Sequence, residues 1–570
     1  MMNTLVLLGV PLVPLFLAVA LAVPAWRDTV WRCAPWAALP ALVVALAGWP
    51  ADTVSLPWLL VGTRLGLDET SRVFLVLTAG LWLAAGHYAS AYHAKDPDRL
   101  RHLAAFLVTQ AGNLLLVVAA DAVTFYLGFL TMSLAAYGLI VHTGTDAARR
   151  AGAVYLVLVV LGEALILPAL WLAVAGAESL APADLRAAIQ DSDLAIGLLL
   201  AGLGVKAALI PLHVWLPLAH PEAPTPASAV LSGAMVKAGL LGWLTLLPAG
   251  DVTRPDVGIA LIVLGLAGAF GAALYGCVQS RPKAVLAYST VSQMGLMIAV
   301  FGMAWYSPEA AVPALAALVV YAVHHGFAKG ALFLGVGCVE GAGSPRARRA
   351  VLGVLFLPAL ALAGAPLTSG AIAKGAMKET LPSLPAGLYA GLEIALPLAA
   401  IGTTLLMARF LWLAARLQAQ DAKPGLFAPW AALCAAVAVV GFVPVALSAD
   451  VVLAAVAPST WWAATWPVLA GLALAAIAVL TRRGAPTWLP EGDVLWLVIA
   501  IGRPLVRHWP GQASRRAIDV LDHSVDTRRQ WVAHWLTRLG ERGETALTRW
   551  PLLMATLLAT LAAAWLLVRV

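Results

Sequence analysis

Apolar stretches long enough to cross a lipid bilayer recur along almost the whole of this sequence. A helix of 18 or more residues with few charges spans the hydrocarbon core of a membrane, which is about 30 Å thick. Only 11% of the 570 residues are charged and 62% are hydrophobic, whereas a soluble domain carries about 25% charged residues. The sequence therefore predicts an all-α polytopic membrane protein.

The apolar stretches divide the chain into about sixteen segments, so we expect about 14–16 transmembrane helices. The predicted spans are 4–25, 30–49, 69–92, 102–120, 121–142, 151–176, 194–218, 225–248, 256–279, 284–304, 311–340, 350–380, 386–416, 428–449, 462–481 and 550–569.

Basic residues are concentrated in alternate loops, those that follow the odd-numbered spans. These loops hold Arg27, Arg32, Lys95, Arg99, Arg101, Arg149, Arg150, Arg281, Lys283, Arg346, Arg348, Arg349, Lys423, Arg482 and Arg483. The loops after even-numbered spans hold only Arg64, Arg186 and Arg254. Cytoplasmic loops are the basic ones, so we expect a multi-pass protein of the cell inner (cytoplasmic) membrane with its N-terminus outside. The net charge of +7 then reflects topology, and no nucleic-acid partner is expected.

Several ionisable residues lie inside the predicted spans, where each costs several kcal/mol unless it is paired or hydrated. The deepest of them are Glu163, Lys206, Lys237, His324, His325, Lys329 and Lys374. Amines and imidazoles exchange protons readily, and water can join them into a row. We therefore predict that these seven residues form a proton-translocation path.

Two predicted spans contain helix breakers beside a lysine. Pro211 follows Lys206, and Pro366 precedes Lys374 in the segment GAPLTSGAIAKGAM. Backbone groups freed at membrane depth are tolerated only against protein or water. The two broken spans are five apart, and because five is an odd number, one crosses the membrane in the opposite direction to the other. This offset predicts two inverted five-helix repeats, spans four to eight and nine to thirteen.

The chain is accordingly expected to have six regions. These are N-terminal helices (1–100), a first half-channel repeat (101–250), a second half-channel repeat (251–420), C-terminal transmembrane helices (421–483), a lateral helix (484–549) and a terminal transmembrane anchor (550–570). In the fifth region, apolar residues recur in steps of three, four and seven from Ile518 to Leu539. That stripe predicts an amphipathic helix lying along the cytoplasmic surface.

No cofactor or metal site and no catalytic centre are expected in this chain. The cysteines Cys33, Cys277, Cys338 and Cys434 are scattered, without a CxxC pair, which argues against an iron–sulfur or zinc site. If a complex containing this chain has redox activity, the redox centres belong to other subunits.

Five motifs resemble one protein family. They are KAALIPLHVWLP (206–217), PTPASAVLSGAMVKAG (224–239), KAVLAYSTVSQMG (283–295), HGFAKGALFL (325–334) and PLTSGAIAK (366–374). This pattern resembles the antiporter-like subunits of respiratory complex I, and the resemblance covers roughly residues 60–420. The same family includes the large subunits of Mrp-type sodium/proton antiporters and membrane subunits of formate hydrogenlyase and related hydrogenases.

The resemblance implies a proton-conducting module with two half-channels. Lys206 matches the family's lysine in the first broken helix, and Lys237 matches the bridging residue on the next helix. His325 and Lys329 match the H-x-x-x-K pair of the central axis, and Lys374 matches the residue of the outer half-channel.

Three positions depart from the family pattern. Leu130 stands where members usually carry the glutamate that pairs with the first lysine, Leu218 replaces an aspartate, and Tyr321 replaces a histidine. Glu163, one helix further along the chain, is the candidate to replace the missing carboxylate.

The resemblance leaves several functions open. The first is a proton-translocating subunit of a complex I-like, hydrogenase-like or Mrp-like complex, with the lipid bilayer and other membrane subunits as partners. The alternatives are a proton-driven partner in a two-component inorganic carbon uptake system and a non-pumping structural subunit. Na⁺ is the alternative ion, but protons are favoured because Glu163 is the one good buried carboxylate among many buried lysines.

Overall fold

Helices account for nearly all of the regular structure in residues 2–48, 53–442 and 449–481, which are the residues that the computed structural model describes. Apart from Ala22–Pro24, the described residues belong to one compact unit. The helices of its first half are α1 (Met2–Ala20), α2 (Arg27–Cys33), α3 (Leu39–Ala47), α4 (Glu69–Tyr92), α5 (Arg99–Val118), α6 (Ala122–Ile140), α7 (Asp146–Gly176), α8 (Pro182–Ile189), α9 (Asp193–Lys206), α10 (Trp215–Glu222), α11 (Thr225–Val230) and α12 (Val236–Leu246).

The second half continues the same pattern. Its helices are α13 (Pro255–Cys277), α14 (Pro282–Tyr306), α15 (Pro308–Glu340), α16 (Pro345–Ala363), α17 (Ser369–Lys378), α18 (Ala386–Ala414), α19 (Phe427–Val439), α20 (Ala449–Val456) and α21 (Pro458–Leu480). A five-residue π-helix, Leu231–Met235, joins α11 to α12. Two short antiparallel strands, β1 (Val54–Leu56) and β2 (Thr63–Leu65), pair with Ser55 opposite Arg64.

The predicted membrane character is confirmed. Within the described residues, 13 helical segments are long and apolar enough to cross a bilayer, and each coincides with one predicted span. The two remaining described spans, 194–218 and 350–380, are the ones predicted to be broken, and both are interrupted. The predicted lateral helix (484–549) and terminal anchor (550–570) lie outside the described residues.

The first break lies between α9 and α10, from Ala207 to Val214. Lys206 is the last residue of α9, and Ala208 has a φ of 60°, a left-handed conformation that ends the helix. The indole of Trp215 donates a hydrogen bond of 2.8 Å to the carbonyl of Val205. This bond satisfies a backbone acceptor that the break leaves without a helical partner.

The second break lies between α16 and α17. Gly364 follows α16 with a φ of +88°, which suits glycine because it has no Cβ. Thr368 then caps α17, because its side chain accepts a hydrogen bond from the Ala371 backbone N–H. Both breaks therefore carry a lysine within a few residues and a local group that satisfies freed backbone atoms.

Close glycine contacts hold the central helices together. A Cβ on Gly265 of α13 would lie 2.5 Å from the Gly295 carbonyl oxygen of α14, and one on Gly295 would meet the Gly265 carbonyl at the same distance. A Cβ on Gly112 of α5 would likewise lie 2.4 Å from the Met132 nitrogen of α6. Small residues at such crossings let helix backbones approach within the membrane, where lipid offers no hydrophobic drive for association.

Helix α14 is the most enclosed of the described spans, with every residue of its apolar 18-residue window buried. Helix α15 runs beside it without interruption for 33 residues, although Pro313 lies near its start. These two helices carry much of the polar network described below, so polarity is concentrated at the centre of the described unit and not at its lipid-facing surface.

Candidate functional site

Lys206 ends the first half of the first broken helix and lies inside an aromatic enclosure. Its side chain is 3% exposed, and its ammonium donates a hydrogen bond of 2.9 Å to the Tyr155 hydroxyl of α7. The same Nζ lies 5.0 Å from the ring centre of Tyr155, 5.5 Å from that of Trp215 and 6.0 Å from that of Phe129. Aromatic faces attract a cation without neutralising it. The site therefore stabilises an ammonium and leaves it able to release its proton.

Glu163 lies on α7, near Lys206 but without direct contact. Its side chain is 8% exposed, and it interacts electrostatically with Lys206 and with Tyr126 of α6. The sequence-based hypothesis that Glu163 replaces the missing carboxylate at Leu130 remains a prediction.

Lys237 lies just beyond the π-helix. Its ammonium donates a hydrogen bond of 2.6 Å to the Ser232 carbonyl, an acceptor at the point where the helix widens. Widened turns of this kind leave carbonyl groups free to bind side chains and occur often at functional sites. The local sequence thus provides a buried lysine with a backbone partner and no counter-charge.

Hydrogen bonds connect Lys237 with Lys329 through the backbone and the side chain of Ser232. The Ser232 hydroxyl lies 2.7 Å from the Thr290 hydroxyl of α14, and Thr290 donates to the Leu286 carbonyl at 3.0 Å. Lys329 of α15 donates to that same carbonyl oxygen at 2.9 Å. Two buried ammonium groups on different helices are therefore joined by a single polar chain.

His325 lies in the electrostatic field of both lysines. It is completely buried, and it interacts electrostatically with Lys237, Lys329 and His324. Neither of its ring nitrogens has a hydrogen-bond partner among the described residues. An unpaired buried imidazole is costly, and this cost is relieved when water or a proton-carrying group reaches the ring.

His324 connects the central axis with the second broken helix. Its Nδ1 lies 2.8 Å from the Ser369 hydroxyl at the start of α17, and Ser369 donates to the Val437 carbonyl of α19. His324 also interacts electrostatically with Lys374. Both adjacent histidines therefore lie in the electrostatic field of buried lysines.

Lys374 binds the end of the preceding half-helix. Its ammonium donates hydrogen bonds of 2.7 Å and 3.1 Å to the carbonyls of Ala363 and Leu362, the last turn of α16. A cation is favourable at this position because helix C-terminal carbonyls carry partial negative charge.

A cavity of about 160 Å³ adjoins the Lys374 side chain. Its lining includes Lys378, Glu379, Leu296 and Pro467. A space of this size accommodates several water molecules, since one water needs about 10–15 Å³ by the same measure.

The structure thus brings the seven predicted residues into two sets. Glu163 and Lys206 form one pair, and Lys237, Lys329, His325 and His324 lead to Lys374. The sets meet where α12 packs on the end of α9, since a Cβ on Gly239 would lie 2.7 Å from the Ala207 nitrogen.

Sequence reasoning missed three participants. Tyr155 is the direct partner of Lys206. Thr290 is the central link of the polar chain. His220 on α10 is fully buried, stacks on Phe333, and interacts electrostatically with Lys237 and Lys329. A signal for His220 was present, because it lies in the second half of the first broken helix.

Tyr321 fills the place of a histidine with a different polar arrangement. Its hydroxyl donates to the Gln293 side-chain oxygen at 2.7 Å, and the Gln293 amide donates to Thr403 at 2.9 Å. The Tyr321 ring stacks on His324 with 6.2 Å between ring centres. Leu218, at the place of an aspartate, is only partly buried and packs against the core.

Comparison with known proteins agrees with this geometry. Residues 119–380 match the family described as NADH:quinone oxidoreductase/Mrp antiporter, TM. The match covers the central part of the chain. The matched segment contains both broken helices and all seven predicted site residues, and the resemblance drawn from the five motifs is confirmed.

Individual relatives come from several branches of this family. NADH-quinone oxidoreductase subunit L of Mycobacterium tuberculosis is 33% identical over 344 residues, which is 56% of this chain and 52% of the relative. Hydrogenase-4 component B of Escherichia coli is 29% identical over 298 residues, 50% of this chain and 44% of the relative. The chain thus spans about half the length of these curated relatives.

A solved structure shares the fold over nearly the whole chain. The Mrp complex from Dietzia sp. DQ12-45-1b contains a chain that superposes with a TM-score of 0.70, covering 94% of this chain and 63% of that one. The identity is 22%, so this likeness establishes the fold alone.

Proposed function

We propose that this chain translocates protons across a membrane as an antiporter-like subunit of a multisubunit complex. The observation that carries the proposal is the polar chain from Lys237 through Ser232, Thr290 and the Leu286 carbonyl to Lys329. Buried cations without counter-charges are expensive in a membrane interior and are retained where they serve transport.

The proposed path begins at the Glu163–Lys206 pair. Protons pass from Lys206 towards Lys237 where α12 meets α9, and then along α15 past His325 and Lys329. Water bound to the unpaired imidazole of His325 links Lys237 with Lys329.

The path ends at the second broken helix. His324 passes the proton to Lys374, and the adjoining cavity holds the water that carries it onwards. By the positive-inside rule this cavity lies in the outer half of the membrane, since the basic loop before α16 is cytoplasmic.

The two half-channels correspond to two inverted repeats, α5–α12 and α13–α18. Each repeat begins with a helix pair in close glycine contact, α5 with α6 and α13 with α14. Each also contains a broken helix with a lysine near the break. This arrangement is the one expected of transporters built from inverted repeats.

The proposed setting is the inner (cytoplasmic) membrane, with the N-terminus outside and other membrane subunits as partners. Relatives are a subunit of an NADH-quinone oxidoreductase and a component of a hydrogenase, and the related fold belongs to an Mrp complex. Redox chemistry or a second ion gradient, supplied by other chains, then drives the transport.

Protons are the proposed ion, and not Na⁺. Hard cations such as Na⁺ require several oxygen ligands, and Glu163 is the one carboxylate among the seven proposed site residues. Buried amines and imidazoles, in contrast, are proton carriers. The retained network also counts against a purely structural subunit, which has no need of five buried lysine and histidine groups.

The test is proton uptake by inverted membrane vesicles that contain the assembled complex. We expect Lys206→Ala and Lys374→Ala each to reduce coupled uptake by at least about a hundredfold, because each removes the lysine beside the broken helix of one half-channel. The matched control is Lys95→Ala, an exposed lysine in a loop. Proton uptake at the wild-type rate in both buried-lysine variants, with normal amounts of assembled complex, would falsify the proposal.

A further inference from the structure

Three histidines converge at the ends of α4, α5 and α6, away from the proton path. His93 follows α4, His102 lies in the first turn of α5, and His142 follows α6. Their ring centres are 4.0 Å apart for His93 and His102, 5.0 Å for His93 and His142, and 4.8 Å for His102 and His142. The side chains are 3%, 2% and 7% exposed.

The ring nitrogens of this cluster have few partners. His93 Nε2, His142 Nδ1 and both nitrogens of His102 make no hydrogen bond within the described part of the chain. One ring nitrogen from each residue lies within 4.8 Å of the corresponding nitrogens of the other two. Burying four unpaired ring nitrogens is unfavourable. A ligand that binds these nitrogens would remove this cost.

One carboxylate oxygen of Asp96 contacts the rings of both His93 and His142. Its Oδ2 lies 2.7 Å from His93 Nδ1 and 2.7 Å from His142 Nε2, which leaves the opposite nitrogen of each ring without a partner. Histidines that bind metals usually donate their other ring N–H to a carboxylate or carbonyl in this way.

We propose that His93, His102 and His142 bind a divalent transition metal ion of the Zn²⁺ class, with Asp96 as the carboxylate that positions two of the ligands. Zinc takes imidazole nitrogens at about 2.0–2.1 Å in tetrahedral geometry, which places ligand nitrogens about 3.4 Å apart. Ring nitrogens of the three residues lie within 4.8 Å of one another, so metal binding draws them closer together. The fourth position is then open to water.

The surroundings fit a single small cation. Arg101 donates to the His142 carbonyl at 3.1 Å, so its guanidinium is engaged with the backbone. The Lys423 ammonium lies over the Tyr92 ring, 4.7 Å from its centre, and interacts electrostatically with His93. The negative charge of Asp96 offsets part of the charge of the ion.

The site connects three transmembrane helices at one end. The loop between α4 and α5 and the turn after α6 contribute ligands, so a bound metal fixes the relative positions of these helix ends. Sequence reasoning did not find this site, because its ligands are separated by 9 and 40 positions and match no compact metal motif. The inference is independent of proton transport and does not rely on the proposed function.

The experiment is metal binding by the full chain, purified in detergent with its partner subunits and stripped with a chelator. Zn²⁺ content after equilibrium dialysis is measured by mass spectrometry, and Co²⁺ is titrated while its visible absorption is recorded. We expect one Zn²⁺ per chain and a tetrahedral-type Co²⁺ spectrum. His102→Phe should raise the Zn²⁺ dissociation constant at least about tenfold, and Asp96→Asn should raise it by about 10–100-fold.

The matched control is His87→Phe, which alters a histidine of α4 whose ring packs on Trp36 outside the cluster. It should bind Zn²⁺ like the wild type. Zn²⁺ should also raise the melting temperature of the wild type and of His87→Phe, but not that of His102→Phe. His142→Gln repeats the test with a polar replacement should His102→Phe fail to fold. Absence of bound metal in the wild type, or equal Zn²⁺ affinity in the cluster variants and the control, overturns the proposal.

Discussion

At the scale of single residues, Lys206 is a buried lysine that no carboxylate contacts directly in the part of the chain that the structure describes. Lys206 is held by a tyrosine hydroxyl and three aromatic rings, and Leu130 occupies the place where relatives usually carry a glutamate. A charge-assisted hydrogen bond contributes about 1.5–3 kcal/mol, and a desolvated cation–π contact about 2 kcal/mol. Together these interactions are comparable to the cost of placing the ammonium in the membrane, about 2.5–3.5 kcal/mol.

Glu163→Gln isolates the long-range contribution of the one buried carboxylate near Lys206. The substitution keeps the shape of the side chain and removes the negative charge that stabilises the ammonium. We expect proton uptake by inverted vesicles to fall about tenfold, the effect of about 1.4 kcal/mol on a rate-limiting step. Glu178→Gln, in an exposed loop, is the control. Equal uptake in Glu163→Gln and the control would mean that the aromatic enclosure suffices and that the first half-channel works without a carboxylate.

At the scale of secondary-structure elements, function depends on interruptions in otherwise regular helices. The breaks after α9 and α16 place lysines at freed helix ends, and the π-helix before α12 provides a carbonyl for Lys237. Close packing then brings these irregular segments together. The contact of α12 with the end of α9 through Gly239 is the tightest link between the two polar sets.

Gly239→Ala tests this contact. The added methyl group would lie 2.5 Å from the Leu203 carbonyl oxygen and 2.7 Å from the Ala207 nitrogen, both backbone atoms that cannot move aside alone. We expect a destabilisation of about 1–3 kcal/mol, measured as a lower melting temperature in detergent, because overpacking forces the helices apart. Gly197→Ala on α9 is the matched control, since its methyl group would meet no atom within 4 Å. It should leave the melting temperature unchanged or slightly raised.

Local sequence signals predicted the membrane spans and their breaks, but not the contacts between helices. Length and hydropathy identified the spans, and Pro211 and Pro366 identified the breaks, because both signals are local. The π-helix Leu231–Met235 was not predicted, since tertiary packing and not propensity decides it. The partnership of Lys206 with Tyr155, 51 residues apart, and the convergence of His93, His102 and His142 depend on how helices pack. No periodicity in the sequence encodes such contacts.

At the scale of the whole molecule, the charge pattern assigns a direction to the proton path. The basic residues are concentrated in alternate loops, which predicts that Lys95 lies in the cytoplasm and Glu178 outside. The orientation decides which half-channel takes up protons from the cytoplasm.

Accessibility of introduced cysteines tests this orientation. A membrane-impermeant maleimide should label Glu178→Cys in intact spheroplasts, whereas Lys95→Cys should be labelled only in inverted vesicles. Both positions are exposed loop residues, so each serves as the control for the other. The opposite labelling pattern would reverse the topology and with it the assignment of the two half-channels.

The central claim is that protons cross through the middle of the polar chain, where Lys329 links α14 and α15. Lys329→Met tests it most directly, because methionine preserves the length of the side chain and removes the amine. The variant should assemble normally, since it relieves the membrane of a buried charge. Proton uptake by inverted vesicles, measured against wild type at equal amounts of complex, should be lost. Uptake at the wild-type rate would show that protons take another route and would contradict the account.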